Sequence, residues 1–315
     1  MTINHGPPMR CPGIRRCAAA LLAACLLAFM PRAHAQSLEP RAYADIPVGM
    51  NFLIGGFAYT QGDLATDALP VTNAHFDSPN AVYGFSRSLD LWGKSGAFSV
   101  SGPYTWLSGT ADYAGQQLSR TVNGFGDPTF RLTANIYGAP SLTPQQFLTY
   151  KQDLVIGVSL DITAPLGQYD PTKIVNIGTH RWSFKPQIGA SKALGRWILE
   201  LQGAVTFYTD NTNFYNGQTR AQDPLYQLQQ HTIYEFGRGI WTSLDVTYYA
   251  GGRSTLDGAL NNDLQQNWRV GATLALPLNR YNSLKLYASD GVSARTGNNF
   301  KLFGIALQHR WGGGM

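Results

Sequence analysis

The chain has 315 residues, of which 14% are charged and 12% aromatic, and its formal net charge is +5. Ordinary soluble domains carry about 25% charged residues, so this composition disfavours a soluble globular protein. The first 35 residues hold four arginines and no acid, and the remaining residues comprise 20 basic and 19 acidic ones. Because the positive excess belongs to this leader, we expect no nucleic-acid partner.

Residues 1–35 have the three-part layout of a secretory signal peptide. Arginines precede a mostly apolar stretch at 17–30, and small residues follow at Ala33 and Ala35. This layout predicts cleavage after Ala35. The apolar stretch is shorter than the ~20 residues that a membrane-spanning helix needs, so we do not expect it to remain as an anchor.

The cysteines also separate the leader from the rest of the chain. All three lie within the first 35 residues, so the mature domain, residues 36–315, can form no disulfide and no thiolate metal site. Leu22-Ala-Ala-Cys25 fits a lipoprotein box, and this alternative would make Cys25 a lipidated N-terminus.

Apolar and polar residues alternate with a period of two through much of the mature chain. In the segment 196–208, for example, Leu199 and Leu201 alternate with Glu200 and Gln202. Such alternation over eight to eleven residues predicts strands with one apolar and one polar face. Several apolar faces begin or end in an aromatic residue, as the aromatic girdles of membrane barrels do. A soluble β-sandwich gives the same alternation, but its strands are usually about 5–6 residues long.

Turn signals divide the mature chain into twelve predicted strands, although Gly55-Gly56 and Arg87 interrupt the alternation in the first two. The strands lie near 49–60, 81–92, 96–107, 128–138, 152–164, 181–192, 196–208, 225–236, 240–250, 265–277, 282–289 and 300–311. Short and long connections alternate, except at 139–151, where Pro144-Gln-Gln-Phe-Leu is expected to form a helical turn. We predict an all-β fold: a closed antiparallel transmembrane β-barrel of about 12 strands with both termini periplasmic.

Short glycine-rich motifs resemble those of a known outer-membrane family. They are Gly124-Phe-Gly-Asp-Pro128, Pro165-Leu-Gly-Gln-Tyr169, Asn176-Ile-Gly178 and Phe184-Lys-Pro-Gln-Ile-Gly-Ala-Ser-Lys192. The family is that of outer-membrane transporters labelled "MetA-pathway of phenol degradation". The resemblance implies an outer-membrane barrel, linked in some members to uptake of aromatic or other hydrophobic compounds. It brings no catalytic residues.

The alternation along the strands places ten charged side chains on the inner face of the barrel. A lipid-facing Arg or Lys at the bilayer midplane would cost about 2–4 kcal/mol of stability, so we expect these side chains to point inward. They are Arg131, Asp161, Arg181, Lys185, Glu200, Glu235, Asp245, Arg269, Lys285 and Arg310. The strand with Arg181 and Lys185 is flanked by those carrying Asp161 and Glu200, so an ion network is expected there. The ten residues either fill the barrel or line a solute path. With six basic and four acidic members, a water-filled path would carry a modest positive potential and favour anions.

The predicted function is an outer-membrane transporter or channel for small solutes, with hydrophobic or aromatic compounds as candidates. Twelve strands favour a narrow or gated path over a wide pore. The expected partners are outer-membrane lipid, the barrel-assembly machinery and a small-molecule solute, and the expected location is the outer membrane of a Gram-negative bacterium. The solute and the oligomeric state stay open.

We expect no enzymatic activity, no cofactor and no metal site. No strand carries a histidine–x–serine element, and His231 and His309 stand alone on their strands, as solvated or interfacial side chains. Two alternatives remain: a barrel-embedded enzyme acting on lipid or at the cell surface, and a structural or adhesive barrel without an open lumen.

Overall fold

A computed structural model describes residues 39–63, 71–113, 116–295 and 299–314, so the predicted signal peptide lies outside the described residues. No described helix is long and apolar enough to cross a membrane. The elements are β1 (Met50–Asp63), β2 (Val71–Leu91), β3 (Lys94–Tyr113), β4 (Gln116–Phe125), β5 (Thr129–Tyr137), α1 (Pro144–Phe147), β6 (Leu154–Thr163), β7 (Ser183–Leu194), β8 (Trp197–Tyr208), β9 (Asn211–Phe214), β10 (Gln218–Gln222), β11 (Leu225–Gly237), β12 (Ile240–Gly251), β13 (Ser254–Leu256), β14 (Ala259–Leu260), β15 (Gln265–Pro277), β16 (Asn282–Ser293) and β17 (Asn299–Gly312).

Twelve of these strands form one closed antiparallel barrel. Their order around the wall is β1, β2, β3, β5, β6, β7, β8, β11, β12, β15, β16 and β17. β17 returns to pair with β1 along its length, from Met50 opposite Gly312 to Asp63 opposite Asn299. Every wall strand therefore has two neighbours, as a membrane barrel requires. The predicted all-β class and twelve-stranded closed barrel are confirmed, with one wall strand for each predicted segment.

Short and long connections alternate around the wall and define two ends. The connections 92–93, 195–196, 238–239 and 278–281 are short turns on one side, which we call the turn end. The longer fifth connection on that side contains α1, so the predicted helical turn is confirmed; Gln146 N donates to Thr143 Oγ1 and Thr143 N to Gln146 Oε1. β1 begins and β17 finishes at the turn end. The opposite side is the loop end, and which of the two faces the periplasm stays a prediction.

The loop end contains more strand than the sequence predicts. The predicted loops 61–80 and 108–127 are largely extended, because β2 begins at Val71 and β3 continues to Tyr113. β3 changes partner along its length, from β5 near the turn end to β4 beyond it. β9, β10, β13 and β14 form a separate four-stranded sheet. These pairings lie beyond the predicted strands, and no regular apolar alternation marks them in the sequence.

The wall has an apolar outer face and a polar inner face. On β8, Leu199 and Leu201 are 43% and 54% exposed, whereas Glu200 and Gln202 are 1% and 2% exposed. The same alternation places Trp182, Ile188 and Trp268 outward, as predicted. Exposed apolar side chains on every other residue are what a lipid-facing wall requires.

The two irregular segments have local explanations. A Cβ at Gly56 would collide with the Ile305 carbonyl, so this glycine permits the close approach of β1 to β17. Arg87 lies on the outer face near the turn end, where its Nη1 donates to Asn51 Oδ1 at 3.1 Å. Both residues disturb the sequence pattern without breaking the strands.

Candidate functional site

The residues before β1 lie inside the barrel, a feature that the sequence did not predict. We call residues 39–49 the N-terminal segment. At the turn end, Ser88 Oγ donates to the Pro47 carbonyl at 2.6 Å, and Val48 N donates to the Leu142 carbonyl at 2.8 Å. From there the segment contacts inward-facing residues of β5, β6, β7, β8 and β11, so it occupies the lumen.

Tyr43 is the main apolar anchor of the N-terminal segment and is 1% exposed. Its ring lies against Gly157 of β6 and Gly189 of β7, where any Cβ would collide with it. Its hydroxyl lies 3.5 Å from Ser159 Oγ. Two inward-facing glycines thus form a slot for one aromatic ring.

Arg41 connects the N-terminal segment to two of the predicted inner acids. Its backbone N donates to Glu200 Oε2 at 2.7 Å, and its Nη1 pairs with Glu235 Oε1 at 2.7 Å. Ser191 Oγ donates to the other Glu200 oxygen at 2.9 Å. Arg41 has φ 69°, a left-handed conformation that is uncommon for a residue with a side chain. Glu200 and Glu235 therefore bind the N-terminal segment, and the expected pairing of Glu200 with β7 cations is not formed.

A second cluster forms around Asp161, which is buried on β6. Arg131 binds it through two hydrogen bonds, from Nε at 2.5 Å and from Nη2 at 2.7 Å. Lys185 Nζ lies 3.2 Å from Asp161 Oδ2, so the expected pair between β6 and β7 is present. Glu39 of the N-terminal segment also pairs with Arg131. The cluster therefore joins three wall strands to the segment.

The other interior cations are held by the wall. Arg269 is buried, and it donates to the Phe300 carbonyl and to Ser289 Oγ, both at 2.9 Å. Lys285 Nζ lies 5.8 Å from the centre of the Trp241 ring. These contacts favour filling of the barrel over lining of an open path.

The expectation for His231 was wrong, because this histidine is fully buried inside the barrel. His231 Nδ1 donates to Asp245 Oδ1 at 2.7 Å, and Ser243 Oγ donates to Asp245 Oδ2 at 3.0 Å. The residues lie on neighbouring strands, β11 and β12, with His231 opposite Asp245. The alternation placed Asp245 on the inner face, but it predicted neither the same face for His231 nor this register. His309, by contrast, is exposed.

Arg181 and Arg310 lie apart from the interior clusters. Arg181 is buried at the loop end, where it pairs with Gln222 and its guanidinium carbon lies 4.3 Å from the centre of the Tyr208 ring. Arg310 is exposed at the turn end, where its Nε donates to the Arg280 carbonyl at 2.9 Å. Alternation indicates the face of a residue but not its height along the barrel, so it grouped both with the interior set.

The profile of the family described as MetA-pathway of phenol degradation matches residues 56–308. The chain belongs to this family. The COG4313 outer membrane channel from Pseudomonas putida F1 is similar in fold, with a TM-score of 0.74 and 19% identity over 87% of this chain and 100% of that chain. The transport unit of the autotransporter AIDA-I from Escherichia coli has a TM-score of 0.51 and 9% identity over 93% of this chain and 97% of that chain. No curated protein sequence matches significantly.

This family member is an outer-membrane protein. Its closed antiparallel barrel with an apolar exterior is the architecture that crosses the outer membrane of Gram-negative bacteria, and the similar solved structures share that fold.

The pairing ladder between β7 and β8 of this family member is interrupted. Phe184 pairs with Phe207, but the next pair is Gln187 with Ala204, so two positions of the ladder are missing. One of the skipped residues is Pro186, which has no N–H to donate. A groove of about 520 Å³ lies beside it, and its lining includes Pro186, Ile188, Val205, Tyr226, Leu228 and Tyr248. The groove is mainly apolar and faces the lipid side.

Proposed function

We propose that the protein is an outer-membrane channel or transporter for small hydrophobic solutes, aromatic compounds included. The observation that carries this proposal is the N-terminal segment inside a narrow barrel. A filled interior leaves little room for a permanent aqueous path. It supports a gated lumen, in which movement of the segment controls passage.

The charges of the interior support an apolar solute over an ion. Of the predicted set, Arg310 is exposed and Arg181 lies at the loop end, which leaves four basic and four acidic residues in the interior clusters. The acids are Asp161, Glu200, Glu235 and Asp245, and each has a hydrogen-bonded partner. The positive potential predicted for a water-filled path is therefore weaker than the count of ten suggested. We propose a small conductance with at most weak anion selectivity.

A sideways exit fits the same interior. An apolar solute that reaches the level of Pro186 would meet the ladder gap between β7 and β8 and the apolar groove outside it. Such a route avoids the Arg41 and Tyr43 contacts nearer the turn end. We further propose that the turn end faces the periplasm, because short turns are periplasmic in outer-membrane barrels.

The experiment that tests the proposal compares a deletion strain with a complemented strain. Accumulation of a panel of phenols, aromatic acids and alkanes is measured in both strains, and planar-bilayer recording is made on the purified protein. We expect at least one apolar compound to accumulate more slowly in the deletion strain. If no compound differs and the bilayers stay silent, the structural barrel replaces the transporter.

An enzyme is the second candidate to test, because a serine, an aspartate and a histidine meet in the interior. Their order does not suit nucleophilic catalysis, since Asp245 lies between Ser243 and His231 and no hydrogen bond joins serine to histidine. All three side chains are buried. We expect Ser243→Ala to complement uptake like the wild type, and a serine-directed probe to leave the protein unlabelled. Labelling at Ser243 would favour the enzyme.

A further inference from the structure

A small cavity lies at the loop end, between the connection from β6 to β7 and the hairpin of β9 and β10. It has a volume of about 120 Å³, and its lining includes Tyr169, Ile174, Arg181, Asn211, Phe214 and Arg220. We propose that this cavity binds the carboxylate head of a small aromatic acid between the Arg181 and Arg220 guanidinium groups. The inference adds small aromatic acids to the solutes of the proposed function. It rests on that function only for the claim that the bound acid is transported.

Nearby carboxylates compensate the charge of the two arginines only at a distance: Asp210 and Asp127 for Arg181, and Asp263 for Arg220. Among the described ion pairs, none joins either guanidinium to a carboxylate. Arg181 Nη1 and Arg220 Nε are buried and have no hydrogen-bond partner within the described residues. Buried donors without acceptors are costly, and charged donors more so, so an anion that accepts from both would stabilise the site.

Guanidinium groups stay protonated at neutral pH, so both arginines are treated as cations. Burial lowers the pKa of Arg181 to about 10, with a smaller contribution from the nearby charge of Arg220, and the carboxylates of Asp210 and Asp127 oppose the shift. Burial also lowers the pKa of Arg220, and the carboxylate of Asp263 opposes that shift. Asp263 itself accepts from Ser254 N at 2.8 Å and from Ser254 Oγ at 2.5 Å, so both of its oxygens already have a donor.

The neutral groups of the cavity wall are already used to hold the loops together. Asn211 Nδ2 donates to Tyr169 Oη at 2.8 Å and to the Thr179 carbonyl at 3.1 Å. Tyr169 Oη donates to the Asn213 carbonyl at 3.1 Å. The donors left for a ligand are therefore those of the guanidinium groups, which favours an anion over a neutral polar molecule.

Aromatic and aliphatic surfaces favour an organic anion over an inorganic one. The Arg220 guanidinium carbon lies 5.6 Å from the centre of the Phe214 ring, and Arg181 packs over Tyr208 in the same way. Such stacking fixes the planes of the guanidinium groups, which then match the two oxygens of a carboxylate. Ile174 adds apolar contact that a hydrated phosphate ion could not use.

The size of the cavity limits what it can enclose. At ~30 Å³ for each water molecule, it has room for about four waters, well below the ~300–1,000 Å³ of pockets that enclose drug-sized ligands. It therefore fits a carboxylate with its nearest carbons, while the remainder of a larger solute would extend outside. Arg181 stands two residues before β7, the strand that contains Pro186, so a solute held here lies on the approach to the ladder gap.

The test is calorimetric titration of the full mature chain in detergent micelles with benzoate, with the uncharged benzamide and with inorganic phosphate. We expect benzoate to bind at least about tenfold more tightly than benzamide. Arg181→Ala and Arg220→Ala should each weaken benzoate binding by about 10- to 100-fold, the usual range for a charge-assisted hydrogen bond. Arg196→Ala removes an exposed arginine at the turn end and should leave binding unchanged.

Three results would overturn the proposal: benzamide binding as tightly as benzoate, phosphate binding more tightly than benzoate, or unchanged benzoate binding in Arg220→Ala. Circular dichroism checks that each variant folds, and Arg220→Lys, which keeps the charge but not the planar fork, should lie between wild type and Arg220→Ala. Uptake of a neutral phenol tests the proposed function independently of this site, and Arg220→Ala should leave that uptake intact. Benzoate binding without any uptake difference between deletion and complemented strains would reject the transporter and keep the site.

Discussion

The charged side chains at the two ends of the barrel interior have different partners. Toward the turn end, Glu200 and Glu235 bind Arg41, and Asp245 accepts from His231. At the loop end, Arg181 faces a cavity with a buried donor that no described residue satisfies. Because a buried charge is costly unless it is paired, the first contacts stabilise the docked segment and the wall, whereas the Arg181 cavity would gain from a ligand. Pairing thus separates the contacts that hold the N-terminal segment from the proposed binding site.

Tyr43→Ala should have the largest effect on closure of the lumen, because it removes the ring from the slot beside Gly157 and Gly189. Loss of a buried aromatic ring costs about 3–5 kcal/mol, here from docking of the N-terminal segment. That cost changes the ratio of docked to undocked segment by more than about a hundredfold, so single-channel conductance should rise well above wild type. Tyr43→Phe keeps the ring and should stay closed. A Tyr43→Ala barrel as silent as wild type would show that the segment is not the closure.

Leu201→Arg should destabilise the barrel by roughly 2–4 kcal/mol, because it places a charge on the lipid-facing side of β8. Gln202→Arg is the matched control on the inner face. Since Gln202 Nε2 donates to the Glu39 carbonyl at 3.4 Å, this variant should disturb the N-terminal segment more than the wall. Reversible unfolding in liposomes measures both free energies. Equal costs would contradict the assignment of the two faces.

Pro186→Ala should reduce uptake of an apolar solute severalfold by closing the gap between β7 and β8. The new N–H can restore a ladder hydrogen bond, worth about 0.5–1.5 kcal/mol. Pro277→Ala, at the end of β15, is the control and should leave uptake unchanged. Benzoate binding at the loop end should be the same in both variants. Faster uptake in Pro186→Ala would argue against a sideways exit.

Glu235→Gln should have the smallest effect on closure of the lumen, because both side chains of its ion pair with Arg41 are partly exposed. Exposed pairs are typically worth about 0.2–1 kcal/mol, so openings in planar bilayers should become only a few times more frequent. An effect as large as that of Tyr43→Ala would mean that charge, and not packing of the ring, holds the segment.

The wall strands could be predicted from sequence because residues that face lipid alternate with residues that face the interior along each strand. Leu201 faces lipid and Gln202 the interior, and that local alternation identified both faces and the strand. The extended hairpin of β3 and β4 lacks regular alternation, so its residues gave no such signal. Where both faces of a strand meet water, pairing leaves little trace in the sequence.

The N-terminal segment could not be predicted because its contacts are distant in sequence. Arg41 meets Glu200 across 159 positions, and nothing near Arg41 indicates that partner. The same limit hid the pairing of His231 with Asp245, which depends on the register of two strands. Arg181 was assigned to the inner face of the barrel. Its position at the loop end is seen only in the structure, where β7 begins two residues after it.

The seam between β1 and β17 sets the order of assembly. The first and last wall strands pair with each other, so the ring can be sealed only after the whole chain has been made and its final strand has arrived. Gly313 N donates to the Gly49 carbonyl at 3.0 Å, so residues just beyond the last strand fasten the base of the N-terminal segment. Sealing the ring and anchoring that base are therefore coupled events. If the N-terminal segment closes the lumen as proposed, we expect a newly inserted barrel to need no separate later step to stop leakage across the membrane.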